Sequence, residues 1–160
     1  MEGAIEKAIL LRKSGKFEES RSLLFDLLSN AEFGAKVHLH IAWSYDNEGK
    51  EQEAIFHYQT ALLGPLTKNE RFDALFGLAS TLRSLGEYEK ALIYFEQTIS
   101  EFPDSAEVQP FYAMCLYNLG RNKEAVALLL ELLVSTTDNA AIKDYKKAIT
   151  LYAKDLDRKW

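Results

Sequence analysis

Four glycines recur at nearly regular intervals along this chain of 160 residues. They are Gly15, Gly49, Gly86 and Gly120, and neighbouring members of the set are separated by 34, 37 and 34 residues. Each follows a segment with apolar residues at helical spacing, and each is followed within four positions by glutamate. Glycine ends helices at low steric cost, and carboxylates stabilise the first turn of the next helix. The pattern therefore predicts helix hairpins in a stacked-repeat architecture.

Small side chains occupy matching positions around these glycines. Those lying seven residues before or five residues after a glycine are Ala8, Ala42, Ala79 and Ala113, then Ser20, Ala54, Ala91 and Ala125. Small residues at matched depths in two helices let the helix axes approach to about 8–10 Å. The spacing thus predicts that the two helices of each hairpin pack closely.

This spacing resembles that of the tetratricopeptide repeat (TPR) family. The residues that carry the resemblance are Ala42, Tyr45, Gly49, Ala54, Tyr58 and Ala61, followed by Leu78, Ala79, Leu82, Gly86, Tyr88, Ala91, Phe95 and Pro103. The first repeat departs from the pattern with Lys7 and Ser20, and the fourth places Pro110 where its first helix should be under way. The segments IAWSYDNEG, FGLASTLRSLG and FYAMCLYNLG are also similar to a group of small bacterial TPR proteins, and this likeness implies a homodimer as one arrangement.

The predicted fold is all-α: a right-handed α-solenoid of about four TPR helix hairpins with a C-terminal capping helix. We expect a single domain over residues 1–160, with repeats at about 1–33, 34–68, 70–104 and 105–138 and the capping helix at 139–158. Pro110 predicts that the first helix of the fourth repeat either starts late, near Gln109, or is kinked. Trp160 lies beyond the predicted cap, and no role is assigned to it.

Composition narrows the classes of function. The formal net charge of −5 and the scattered basic residues argue against nucleic acid and against an anionic membrane surface as partners. No apolar stretch approaches the roughly 20 residues that cross a bilayer. The single cysteine, Cys115, fits a reducing compartment, and the first residues do not resemble a secretory signal. We therefore expect a cytoplasmic protein.

A candidate binding groove follows from the repeat pattern, since the first helices of stacked pairs line a concave surface. The residues predicted to line this groove are Ile9, Leu39, His40, Trp43, Asn47, Phe76, Arg83, Phe111, Met114, Tyr117 and Asn118. Trp43, Phe76 and Phe111 are predicted as anchors for a partner peptide or helix. Asn47, Arg83 and Asn118 are predicted to hydrogen-bond its backbone or a carboxylate.

Two alternatives stay open for these aromatic side chains. They pack on one another or on the C-terminal helix as internal core, or the apolar face is buried in a symmetric homodimer. In the best-known activity of the family, asparagines and lysines grip the C-terminal carboxylate of a chaperone. The matching positions here hold Ile5, Ile9, His40, Asp73 and Gly77. None of these is a residue of that clamp, so the side chains of the groove predict an apolar ligand and not a chaperone carboxylate.

The chain carries no motif that points to catalysis. His38 and His40 are two residues apart, so on one helix they point in different directions, and no Cys-x₂-Cys or His-x₃-His spacing occurs. Phosphate-binding glycine loops and nucleophile elbows are also absent from the sequence. Cys115 lies beside core positions and is predicted to be a buried thiol. We expect a protein that is not an enzyme and that needs no cofactor or metal.

Overall fold

The computed structural model describes residues 2–29 and 33–160. Within these ranges all regular secondary structure is helical, which confirms the all-α prediction. The α-helices, in chain order, are α1 (Glu2–Lys13), α2 (Phe17–Leu27), α3 (Gly34–Glu48), α4 (Glu51–Leu62), α5 (Lys68–Ser84), α6 (Tyr88–Glu101), α7 (Gln109–Asn118), α8 (Asn122–Thr136), α9 (Ala140–Asp144) and α10 (Lys146–Lys154). A 3₁₀ turn, Ala106–Val108, precedes α7.

The four recurring glycines form the hairpin turns, as the sequence predicts. Their φ angles lie between 75° and 79°, and no other described residue has a positive φ. The residue after each glycine donates its backbone N–H to the carbonyl five positions earlier, as Lys16 does to Leu11 at 2.9 Å. This is the Schellman arrangement, which satisfies carbonyls at a helix end while the chain reverses. The next helix begins two residues after each glycine.

The matched small residues are all buried, with relative exposures from 0 to 5%. In the first hairpin the Ser20 hydroxyl donates to the Ala8 carbonyl at 2.7 Å, so it joins α2 to α1 directly. The serine that departs from the family pattern therefore keeps the close approach and adds a hydrogen bond.

A buried arginine joins the first two hairpins. Arg21 is 5% exposed, and its Nη2 lies 2.7 Å from Glu48 Oε2. Its Nη1 donates to Ser44 Oγ at 3.2 Å, and its guanidinium lies 4.2 Å from the centre of the Tyr45 ring. A buried charge is tolerated only when it is paired and hydrogen-bonded, so these contacts define how α2 sits against α3.

A second polar contact joins α3 to α4 and α5. Asp46 Oδ2 accepts hydrogen bonds from the Tyr58 hydroxyl at 2.5 Å and from the Thr81 hydroxyl at 2.8 Å. Burial raises the pKa of Asp46 above its ordinary value, while the two hydrogen bonds act in the opposite direction. Tyr58 is 1% exposed, and burial followed by the Asp46 charge raises its pKa. One carboxylate thus fixes the relative positions of three helices.

Helix α7 begins at Gln109 with Pro110 in its first turn, so the late-start alternative is confirmed. Proline is tolerated there because first-turn amides have no partner within the helix. The segment predicted as one capping helix, 139–158, instead forms α9 and α10 and ends its helical part at Lys154. The Asn139 side chain caps α9 by accepting from the Ile142 amide at 3.1 Å. α10 packs against α8.

The chain divides into two compact units, Met1–Tyr94 and Phe95–Trp160, and the boundary falls within α6. The interpretation as a single domain stays a prediction.

In the first unit one core cluster is formed by Ile5, Ala8, Leu24, Val37 and Ile41. In the second unit the Cys115 thiol is fully buried and forms no disulfide, so its predicted burial is confirmed. No helix in the described part of the chain is long and apolar enough to cross a membrane.

Candidate partner-binding pocket on α1, α3 and α5

A surface pocket of about 440 Å³ lies within the first unit. We call it the Trp43 pocket, and its walls come from α1, α3 and α5. The residues that line it are Glu2, Ile5, Glu6 and Ile9, then Lys36, His40 and Trp43, and finally Glu70. It therefore combines an apolar wall with four charged side chains and one imidazole.

The apolar wall of the Trp43 pocket continues the core. Ile5 is 4% exposed and belongs to the core cluster of the first unit, and Ile9 packs against that cluster. Because both side chains are held by the core, this wall is in place before any partner arrives.

The Trp43 ring is half-buried and held by two neighbours. Its ring centre is 5.0 Å from that of His40, with the planes at 83°, and the Arg12 guanidinium lies 5.2 Å from its centre. Arg12 is itself fixed, since its Nη1 donates to Asn47 Oδ1 at 3.2 Å. The indole therefore has a defined orientation, which is an advantage for an anchor because little freedom is lost on binding.

His40 brings an unsatisfied polar atom to this site. The side chain is 8% exposed, and its Nδ1 is buried with no hydrogen-bond partner among the described residues. Burial, followed by the charges of Arg12 and Lys36, lowers the pKa of His40 to about 4, so the ring is neutral at pH 7. Leaving a buried polar atom unpaired costs about 1–3 kcal/mol. Such atoms are uncommon in native proteins and call for an explanation.

The charged part of the pocket is mostly acidic. Lys36 Nζ lies 3.7 Å from Glu70 Oε1. Glu70 also completes a capping box at the start of α5, where its carboxylate accepts the Thr67 amide and its own amide donates to the Thr67 hydroxyl. Glu70 is therefore fixed from two directions. Glu2 and Glu6 are exposed on α1.

The structure brings three of the predicted groove residues, Ile9, His40 and Trp43, together in this pocket. Asn47 is exposed and bonded to Arg12. Leu39 requires a correction, since its side chain is 0% exposed and belongs to the core. The reason is that α3 contacts α1, α2, α4 and α5, which leaves only a narrow stripe of α3 open to solvent.

The remaining predicted residues do not line the Trp43 pocket. On α5, Phe76 and Arg83 are half-buried, and the Phe76 ring lies 5.7 Å from that of Phe72. In the second unit α7 carries the exposed side chains of Phe111 (39%), Met114 (39%) and Tyr117 (66%), together with half-buried Asn118. Their contact with a partner stays a prediction.

Two features of the first unit were not predicted from the sequence. Glu70 was omitted from the site, although Thr67-x-x-Glu70 is a recognisable capping box. His38 and His57, 19 residues apart, have their Nδ1 atoms 2.9 Å from each other and their ring centres 5.1 Å apart. Among the described residues no group of three or more His, Cys, Asp or Glu side chains is placed to hold a metal ion.

Comparison with known proteins identifies the family. A family model described as tetratrico peptide repeat matches residues 35–156. The chain is 26% identical over 132 residues to a protein of Arabidopsis thaliana named Protein CTR9 homolog. The matched region covers 71% of this chain and only 12% of the length of that protein. Similar solved structures are YrrB, described as a TPR protein with an unusual peptide-binding site, and a TPR protein from Parabacteroides merdae ATCC 43184.

The structural likeness extends over nearly the whole chain. YrrB matches with a TM-score of 0.72 and 21% identity, covering 98% of this chain and 78% of its own. The Parabacteroides protein matches with a TM-score of 0.73 and 20% identity, covering 96% and 59%. At such identities the likeness shows the fold, and the predicted TPR solenoid is confirmed. Since the family model also covers more than half of the sequence, this chain belongs to the tetratricopeptide repeat family, whose members are generally non-catalytic scaffolds for protein–protein interaction.

Proposed function

We propose that this protein is a cytoplasmic interaction scaffold that binds a peptide or helical segment of a partner protein in the Trp43 pocket. The observation that carries the proposal is the pairing of a fixed, half-buried indole with a buried imidazole nitrogen that lacks a partner. Aromatic side chains bordered by polar groups are the usual composition of binding hot spots. The similar fold of YrrB is described as having a peptide-binding site, which supports a peptide as the occupant.

The roles of the residues follow from their positions. Ile5 and Ile9 form the apolar wall against which a partner side chain packs, and Trp43 is the anchor. Asn47 presents an exposed amide beside this anchor for the partner backbone. On α5 we assign Phe76 and Arg83 to further partner contacts. In the second unit we assign Phe111, Met114, Tyr117 and Asn118 to further partner contacts.

The test is capture of partners from the native lysate by three immobilised proteins: wild type, Trp43→Ala and Trp160→Ala. Trp160 is the matched control because it is 66% exposed and does not line the pocket. We expect Trp43→Ala to lose the captured partner and Trp160→Ala to retain it, with both variants keeping the wild-type circular dichroism. Capture by Trp43→Ala equal to that of wild type would refute the proposal.

A second candidate function is self-association as a structural homodimer. α8 favours it, because Val126, Leu129 and Leu133 are 41–45% exposed and recur at three- and four-residue steps. A stripe of exposed apolar side chains on one helix face is a typical association surface. Light scattering measures this directly, since the monomer has a mass of 18.2 kDa. A monomer at high protein concentration would eliminate the homodimer.

A further inference from the structure

The carboxylates of the Trp43 pocket are not balanced by the cations around it. Three glutamates line the pocket against one lysine, Lys36, and that lysine is already paired with Glu70. The Arg12 charge also acts on this site, but its guanidinium is engaged by Asn47 and Trp43. Within the part of the chain that the structure describes, neither Glu2 nor Glu6 has a cationic partner. The site therefore has unmatched negative charge on its α1 side.

Glu2 and Glu6 concentrate this negative charge at one place in the pocket. They are four residues apart on α1, so they lie on the same face and repel one another. Both line the same pocket as Ile5 and Ile9, which places the two carboxylates beside the apolar wall. A cation placed between the glutamates would convert their repulsion into attraction.

His40 supplies an independent sign that the pocket is built for a ligand. Its side chain is more than nine-tenths buried at the wall, and its Nδ1 lacks a partner in the described residues. A neutral imidazole has one donor nitrogen and one acceptor nitrogen. A peptide backbone offers both an N–H and a C=O, so it can pair with the buried Nδ1 in either tautomer once the ring turns toward the pocket.

We propose that the Trp43 pocket selects a basic peptide segment, in which a lysine or arginine lies next to an apolar anchor side chain. The apolar side chain packs on Ile5, Ile9 and Trp43, and the neighbouring cation pairs with Glu2 and Glu6. Acidic segments and C-terminal carboxylates are disfavoured, because they would be brought against the same two glutamates. This inference rests on the proposed function and adds the chemistry of the partner.

The experiment uses three matched peptide pools and a protein in which Trp43 is the only tryptophan. The chain has two tryptophans, so Trp160→Phe leaves Trp43 as the reporter of its own pocket. Every peptide has a central leucine among alanines and serines. The positions that flank this leucine hold Lys or Arg in the basic pool, only Ser in the neutral pool, and Glu or Asp in the acidic pool. Binding is measured by Trp43 fluorescence and, in parallel, by calorimetry. We expect the basic pool to bind about tenfold more tightly than the neutral one, and the preference to shrink in about 0.5 M salt.

Reversing the charge of Glu6 tests whether this residue causes the preference for basic peptides. Glu6→Lys should weaken binding of the basic pool about tenfold and improve binding of the acidic pool. Glu53→Lys is the matched control, since it changes the net charge equally from an exposed position on α4 that does not line the pocket. Circular dichroism of both variants verifies that they are folded.

The outcomes separate this inference from the function on which it rests. If neutral or acidic peptides bind as tightly as basic ones, or if Glu53→Lys acts as Glu6→Lys does, the charge selectivity is overturned while peptide binding stands. If no pool changes the fluorescence or produces heat, both the selectivity and the peptide-binding proposal are overturned.

Discussion

Substituting Gly77 by alanine is a sharp test of how the second and third hairpins pack. Gly77 lies in the interior of α5, where glycine is about 1 kcal/mol less favourable than alanine. Local helix propensity alone thus predicts that Gly77→Ala stabilises the protein. The structure predicts the opposite, because an added Cβ would lie 2.9 Å from Cε1, Cζ and the hydroxyl oxygen of Tyr58.

The Tyr58 side chain has little room to move away. It is 1% exposed, and its hydroxyl is bonded to Asp46, which also accepts from Thr81. Overpacking of this kind costs about 1–3 kcal/mol. Weakening a hydrogen bond to a charged group costs about 1 kcal/mol more. Subtracting the gain of about 1 kcal/mol in helix propensity leaves a net loss of about 1–3 kcal/mol.

The assay is urea unfolding followed by far-UV circular dichroism, with Gly3→Ala as the matched control. A Cβ at Gly3 meets nothing within 4 Å, so we expect that variant to gain up to about 1 kcal/mol. Tyr58→Phe completes a double-mutant cycle, since removing the hydroxyl should relieve part of the Gly77→Ala penalty. A Gly77→Ala protein that is at least as stable as wild type would refute the packing argument.

Two further predictions concern stability. Ala91 is 0% exposed, so Ala91→Leu should overpack α6 and cost about 1–3 kcal/mol; an unchanged thermal melt would contradict the pairing of helices through small residues. The second prediction concerns pH. Burial and then the His38 charge lower the pKa of His57 from 6.5 to about 4, and burial also lowers that of His38. Between about pH 6.5 and pH 4 the unfolded chain therefore binds more protons than the folded chain. The free energy of unfolding should decrease as the pH is lowered through this range. The wild-type protein should have a lower urea midpoint at pH 5 than at pH 7, and His57→Phe should reduce this difference. Equal wild-type midpoints at the two pH values would refute the link between histidine protonation and stability.

The candidate site could be predicted only in part. Trp43, His40 and Ile9 could be placed at the pocket because they lie on the stripe of the first helices that is offset by one or two residues from the predicted core positions. Leu39 lies on the same stripe and was misassigned to the groove. Helical periodicity distinguishes buried from exposed side chains only when one side of the helix is open to solvent. α3 is contacted by four other helices, so neighbouring stripes of the same helix are buried or open according to what packs on them.

The helices, their glycine turns and the close hairpins were determined by the sequence itself, because they depend on interactions within a few residues. A left-handed glycine, a carboxylate in a first turn and a small residue at a fixed offset act locally, wherever the hairpin lies. The His38–His57 contact and the packing of the Tyr58 ring against Gly77 join residues that lie far apart in the chain, and the His40 nitrogen is buried by helices that are distant in sequence. Only the tertiary structure decided them, because they depend on how one hairpin packs against the next at distances of a few ångströms.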